Sequence, residues 1–233
     1  MRIPAACTGI FTLRPSFGRF PTRDCRSGMP GQETVNSVNG PMARTLADIA
    51  LYSETLIKKD PWLHDAKCVP IPWRPAQLPA KLKVGVMWND GLVKPTPPIA
   101  RALKQTVEKL KAAGVEVIEW EPTDLMQSAQ LIGRMFQADG AEAIRRELEK
   151  TGEPHPPEMT VHKDSKAISV YDLWQLQYER SNFQNKNLER WNETGIDALL
   201  LPNNPVVTFK HGGTAHSKLD GERVLCWNCL TVV

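Results

Sequence analysis

Serine, cysteine and histidine are the side chains most able to attack a bond or hold a metal, so their spacing comes first. Ser16, Ser27 and Ser37 lie in a glycine- and proline-rich stretch, yet none has the Gly-x-Ser-x-Gly surround of a nucleophile elbow. No Ser-x-x-Lys spacing sets a base one helical turn away from a hydroxyl. Serines in such stretches are turn formers. Cys226 and Cys229 form a Cys-x-x-Cys pair, the pattern of a redox site or of half a zinc site. Zinc needs about four ligands, and neither a second Cys-x-x-Cys nor a His-x-x-x-His pair occurs. His211 and His216 flank a Gly-Gly turn and lack a third ligand. Neither Gly-x-Gly-x-x-Gly nor Gly-x-x-x-x-Gly-Lys is present, so no nucleotide cofactor is predicted and none of another kind.

The elements that must position these groups follow from periodicity. The stretch 1–39 reads as loops and short strands. Thr45 followed by Asp48 makes a capping box at the start of a helix whose buried face is expected to hold Leu46, Ile49, Ala50 and Ile57, with Ser53 and Leu56 between. A proline-rich connection runs over 60–79. Leu82 to Trp88 alternates as a strand, Thr96-Pro97 opens a helix with Ile99, Leu103, Val107 and Leu110 on one face, Gly114 stops it, and Val115 to Trp120 is a second strand. That unit predicts neighbouring parallel strands. Helical patterns cover about 124–150 and 169–194, and the apolar run at 196–201 predicts a strand buried on both faces. The expected fold class is α/β, a mixed sheet flanked by helices, in a single partial domain over 1–233.

Net charge is +3 with both signs interleaved, which gives no face for nucleic acid or anionic membrane. No apolar run reaches the roughly 20 residues of a membrane span. Five cysteines without a repeating framework suit reduced thiols, and the predicted location is cytoplasmic.

Three passages, "RIPAACTGIFTLRPSFGR", "NGPMARTLADIA" and "DALLLPNNPVVTFKHG", resemble in order the amidase signature family of amide hydrolases, especially its acetamidase-like members. The resemblance implies hydrolysis of a linear carboxamide, a small-molecule substrate, by a nucleophilic serine, a bridging serine and a lysine base, with backbone amides as the oxyanion hole. It also implies that the nucleophile stands one residue before Met1, that the lysine and bridging serine lie further upstream, and that the late aromatic-Asn segment is cut short at Val233. No catalytic residue is then expected in 1–233, and the chain should be inactive alone. Arg2 is expected to support the nucleophile turn. Leu225 and Trp227 border the acyl pocket by the same resemblance, as channel wall or as core. Two other readings stand beside this one: a family member kept for binding or regulation, and the glutaminase-type subunit of a tRNA-dependent amidotransferase.

Overall fold

The computed structural model describes residues 2–156, 164–207, 218–219 and 222–223. They form two compact units, one of 1–77 with 139–167, the other of 78–138 with 168–233.

The first unit begins with α1 (Arg2–Thr8), where the sequence reading expected loop. Pro4 masked the helix, but proline in a first turn costs no hydrogen bond, because that N–H has no partner in the helix anyway. Gly9 ends it at φ 68, and Ile10 N–H reaches back to Ala5 O at 3.1 Å, a Schellman closure. The chain passes into β1 (Phe11–Thr12), which pairs antiparallel with β2 (Met42–Ala43). Thr12 Oγ1 donates to Pro41 O at 3.0 Å and strengthens the pair.

α2 (Leu46–Ile57) starts as the capping pattern requires. Thr45 Oγ1 accepts from Asp48 N–H at 3.1 Å and donates to the Asp48 carboxylate at 2.7 Å, an arrangement that stabilises a helix end by about 1 kcal/mol. Its buried residues are Ile49, Ser53 and Ile57, four apart. Leu46 and Ala50, expected on that face, are exposed, so the buried stripe is narrower than the apolar pattern. The 60–79 connection is better ordered than its composition suggests. A 3₁₀ turn spans Pro61–Leu63, and Val69 N–H donates to Gly18 O at 2.8 Å. α5 (Glu142–Glu149) completes the unit, with an isolated bridge between Asp139 and Ala167.

In the second unit, β3 (Lys83–Val86), α3 (Pro97–Ala112) and β4 (Glu116–Glu119) form the expected strand, helix, strand passage. β3 and β4 are parallel, with Val84 opposite Val117. β5 (Ala198–Leu200) pairs parallel on the other side of β3, giving the order β4-β3-β5. The run at 196–201 is therefore a side strand. Ala198 is exposed and Leu199 and Leu200 are half-buried, and among the described residues β5 pairs only with β3.

The two faces of β3 divide the unit. Val84 and Val86 point to α3 and bury Val107, with Leu110, Val117 and Leu200 at the margin. Each buried valine contributes about 1.5–3 kcal/mol by leaving water. On the opposite face Gly85 leaves room for its neighbours: a Cβ there would stand 3.1 Å from Ile196 Cδ1, 3.2 Å from Leu199 Cδ1 and 3.5 Å from Trp120.

α4 (Leu125–Phe136) and α6 (Val170–Thr194) pack together in the second unit. α4 buries Ser128, Leu131 and Met135. The helical pattern expected over 124–150 is broken between α4 and α5, where Gly140 and Ala141 take φ 64 and 61. α6 is capped by Ser169, whose Oγ accepts from Asp172 N–H at 3.1 Å, and it closes at Gly195 with φ 63. Short strands β6 (Lys218–Leu219) and β7 (Glu222–Arg223) pair antiparallel. No helix among the described residues is long and apolar enough to cross a membrane.

Candidate functional site

The first unit gathers its polar groups around the loop between β1 and β2. Asp65, 6% exposed, organises one side. Its Oδ2 accepts from Thr22 N–H at 2.7 Å and Arg23 N–H at 2.8 Å, and its Oδ1 accepts from Lys67 N–H at 2.9 Å. These bonds favour the charged carboxylate, that from Lys67 N–H most, then Thr22, and hold the Asp65 pKa below its ordinary value of 3.8. Arg23 Nη1 donates to His64 O at 3.0 Å and Arg19 Nη1 to Ile71 O at 2.6 Å. Phe20 meets Tyr52 edge to face, with ring centroids 5.9 Å apart. The loop is thus fastened to the proline-rich connection at several points.

Beside this clamp lies a polar cavity of about 520 Å³, walled by Cys25, Arg26, Gln32, Asn39, Lys67 and Glu147 among others. Its cations are paired, Arg26 with Glu147 and Lys67 with Glu33. The bonds from Lys150 and then Arg26 keep Glu147 below the usual carboxylate range. Asn39 Nδ2 donates to Pro21 O at 2.9 Å and to Cys25 Sγ at 3.2 Å. Gln32 Oε1 accepts from Val35 N–H at 2.9 Å, whereas its buried Nε2 has no partner among the described residues. A buried donor left unmet costs about 1–3 kcal/mol, so this amide suits an acceptor brought by a ligand.

The sequence-derived residues fall as follows. Arg2 opens α1 and is half-buried. Ser16 accepts Arg19 N–H through its carbonyl, and Ser27 Oγ accepts Met29 N–H at 3.1 Å; both shape turns. Ser37 lines the polar cavity. Leu225 and Trp227 lie outside the described residues, as do Cys226, Cys229, His211 and His216. Sequence reading passed over Asp65, Gln32 and Asn39. No local pattern singles out Asp65, which shares the proline-rich 60–79 connection with Asp60.

The family model for Amidase matches residues 1–233. The chain belongs to the amidase family. The chain is 33% identical over 227 residues to the "Acetamidase" of Emericella nidulans, and 36% identical over 216 residues to "Putative amidase C550.07" of Schizosaccharomyces pombe. The matches cover 91% of this chain but 41% and 40% of those relatives, so the chain spans about two-fifths of their length. The solved structure "Fatty acid amide hydrolase" superposes with a TM-score of 0.84 at 32% identity, covering 89% of this chain and 38% of that one. The α/β fold and the family resemblance of the three quoted passages are both borne out.

Proposed function

We propose that this amidase chain is part of a hydrolase that cleaves linear carboxamides to a carboxylate and ammonia or an amine, and that residues 1–233 alone carry out no turnover. The observation that carries the reading is the family match along the entire chain. An amide is a weak electrophile. Its hydrolysis needs an activated hydroxyl, a stabilised oxyanion and a proton for the leaving nitrogen. In this reading the serine nucleophile, bridging serine and lysine base come from sequence outside 1–233, and the nucleophile stands one residue before Met1.

The chain then supplies support and recognition. Arg2, on the first residue of α1, braces the nucleophile turn, while Leu225 and Trp227 form part of the acyl wall. The polar cavity of the first unit fits the carboxamide end of a substrate, since Gln32 Nε2–H is a ready donor to a carbonyl oxygen. A small-molecule amide is the expected partner and the cytoplasm the expected location.

The test uses the purified chain with acetamide and other short linear amides, and with a fluorophosphonate probe. The expected result is neither ammonia release nor labelling. Turnover or a labelled serine places a nucleophile inside 1–233 and overturns the reading.

A further inference from the structure

The second unit holds a different kind of cavity, about 430 Å³ in volume, at the C-terminal edge of the parallel sheet. Met87 follows β3, Trp120 follows β4, and Leu199 belongs to β5; Phe183 and Trp191 come from α6. The volume falls within the roughly 300–1,000 Å³ of small-molecule sites, and the C-terminal edge is where open α/β sheets take ligands. Two indoles and a phenyl ring dominate the wall. Gly85 is the reason the cavity has this floor, since its missing Cβ lets Leu199 and Trp120 lie close over the sheet.

The rim decides what charge a ligand carries. Arg190 is held at three places: Nη1 donates to Thr123 Oγ1 at 2.9 Å, Nη2 to Glu121 O at 2.6 Å, and the guanidinium carbon sits 4.2 Å over the Trp120 ring. Lys186 Nζ pairs with Asp124 Oδ1 at 2.9 Å. Asp124 is thereby neutralised, and the remaining wall charges are Arg190, whose named contacts are all uncharged, and the Glu121 carboxylate, so an ion of either sign would lose water and meet a like charge as well as an opposite one. Asn187 adds one polar feature. Its Nδ2 donates to Phe183 O at 2.9 Å, and among the described residues its Oδ1 accepts no bond.

We propose that this cavity is a binding site for an uncharged, flat aromatic molecule with a single N–H or O–H donor, the ring lying among Trp120, Phe183 and Trp191 and the donor reaching Asn187 Oδ1. The site does not depend on the carboxamide reading, and occupancy is measured without turnover.

The probe is 5-fluoroindole, followed by 19F line broadening on addition of the purified chain. The expected result is saturable broadening at sub-millimolar concentration. Asn187→Ala should weaken it about tenfold, and Ser128→Phe, which fills the cavity from α4, should abolish it. Circular dichroism and a thermal melt show whether each variant is folded; Asn187→Ala, on the outer part of the wall, carries the decision if Ser128→Phe does not fold. No broadening up to millimolar probe, or unchanged affinity in folded Asn187→Ala, overturns the proposal. So does binding by 1–233 that vanishes in a chain extended to the length of the relatives, which would give the cavity to a protein segment. A charged analogue, indole-3-acetate, should bind at least tenfold more weakly, and equal affinity would also sink it.

Discussion

Asp65→Ala is expected to lower the stability of the first unit by about 2–4 kcal/mol at neutral pH. Three backbone N–H groups, of Thr22, Arg23 and Lys67, lose their acceptor at once, and bonds to a charged partner are worth about 1.5–3 kcal/mol each before the loop relaxes toward water. The effect carries a pH signature. Because the carboxyl pKa is depressed in the folded chain, its contribution is present at pH values above the unfolded pKa of about 3.9 and is lost as pH falls through the lower folded value. Urea unfolding at pH 7 and near pH 3 should therefore show a large gap between parent and variant that narrows in acid. Asp65→Asn makes a sharper control. One amide nitrogen must face an N–H donor whichever way it is turned, so this variant should fall between the two and lose the acid dependence. A gap unchanged between pH 7 and 3 would show that the carboxylate charge is not what holds the loop.

Gly140→Ala should be at least as damaging. Gly140 sits at φ 64, and an added Cβ would stand 2.5 Å from Ala167 N and 3.0 Å from Lys166 C, backbone atoms that cannot swing aside. The same turn carries the Asp139–Ala167 bridge and the start of α5, where Asp139 accepts from Ala141 and Ala143 N–H. Left-handed strain alone costs about 1–2 kcal/mol for a residue with a side chain, and the overlap adds to it. The expected total is about 3 kcal/mol or more, a fall of roughly 6–12 °C in Tm at about 2–4 °C per kcal/mol. Gly152→Ala separates the two causes. Gly152 has φ 68 with nothing within 4 Å of the added carbon, so it should show the strain without the clash. Equal losses in the two variants would mean that Ala167 gives way freely.

The sequence was most legible where a single local rule governs. The Thr45–Asp48 cap and the β3-α3-β4 passage obeyed patterns confined to a few turns, and they stand where expected. α1 was missed because Pro4 reads as a breaker unless the helix start is already known. The break between α4 and α5 was hidden by continuous helical periodicity, and only the left-handed backbone at Gly140 and Ala141 ends it. β5 was recognised as a strand but expected to be buried on both faces, whereas Ala198 is exposed and Leu199 and Leu200 are half-buried. Of the site, Arg2 was named only through the family resemblance, and Asp65 and Gln32 gain meaning from partners brought in by folding. Trp120 and Trp191, with ring centroids 6.0 Å apart, lie on different elements far apart in the chain, so no window of sequence shows them as neighbours.

The strand order β4-β3-β5 also has a kinetic meaning. β3 meets β4 after one helix, but it meets β5 only after a much longer detour, and the Lys83 N–H bond to Asp197 Oδ2 closes a separation of 114 residues. Each doubling of such a detour costs about 0.6 kcal/mol in closure entropy, and distant pairings slow folding. The expected path assembles β3, α3 and β4 first and adds β5 last. Hydrogen-exchange labelling during refolding should find the Glu116 and Trp120 amides, which donate to Leu82 O and Val86 O, protected before those of Met87 and Asp197, which bond Leu200 O and Lys83 O; simultaneous protection would contradict this order.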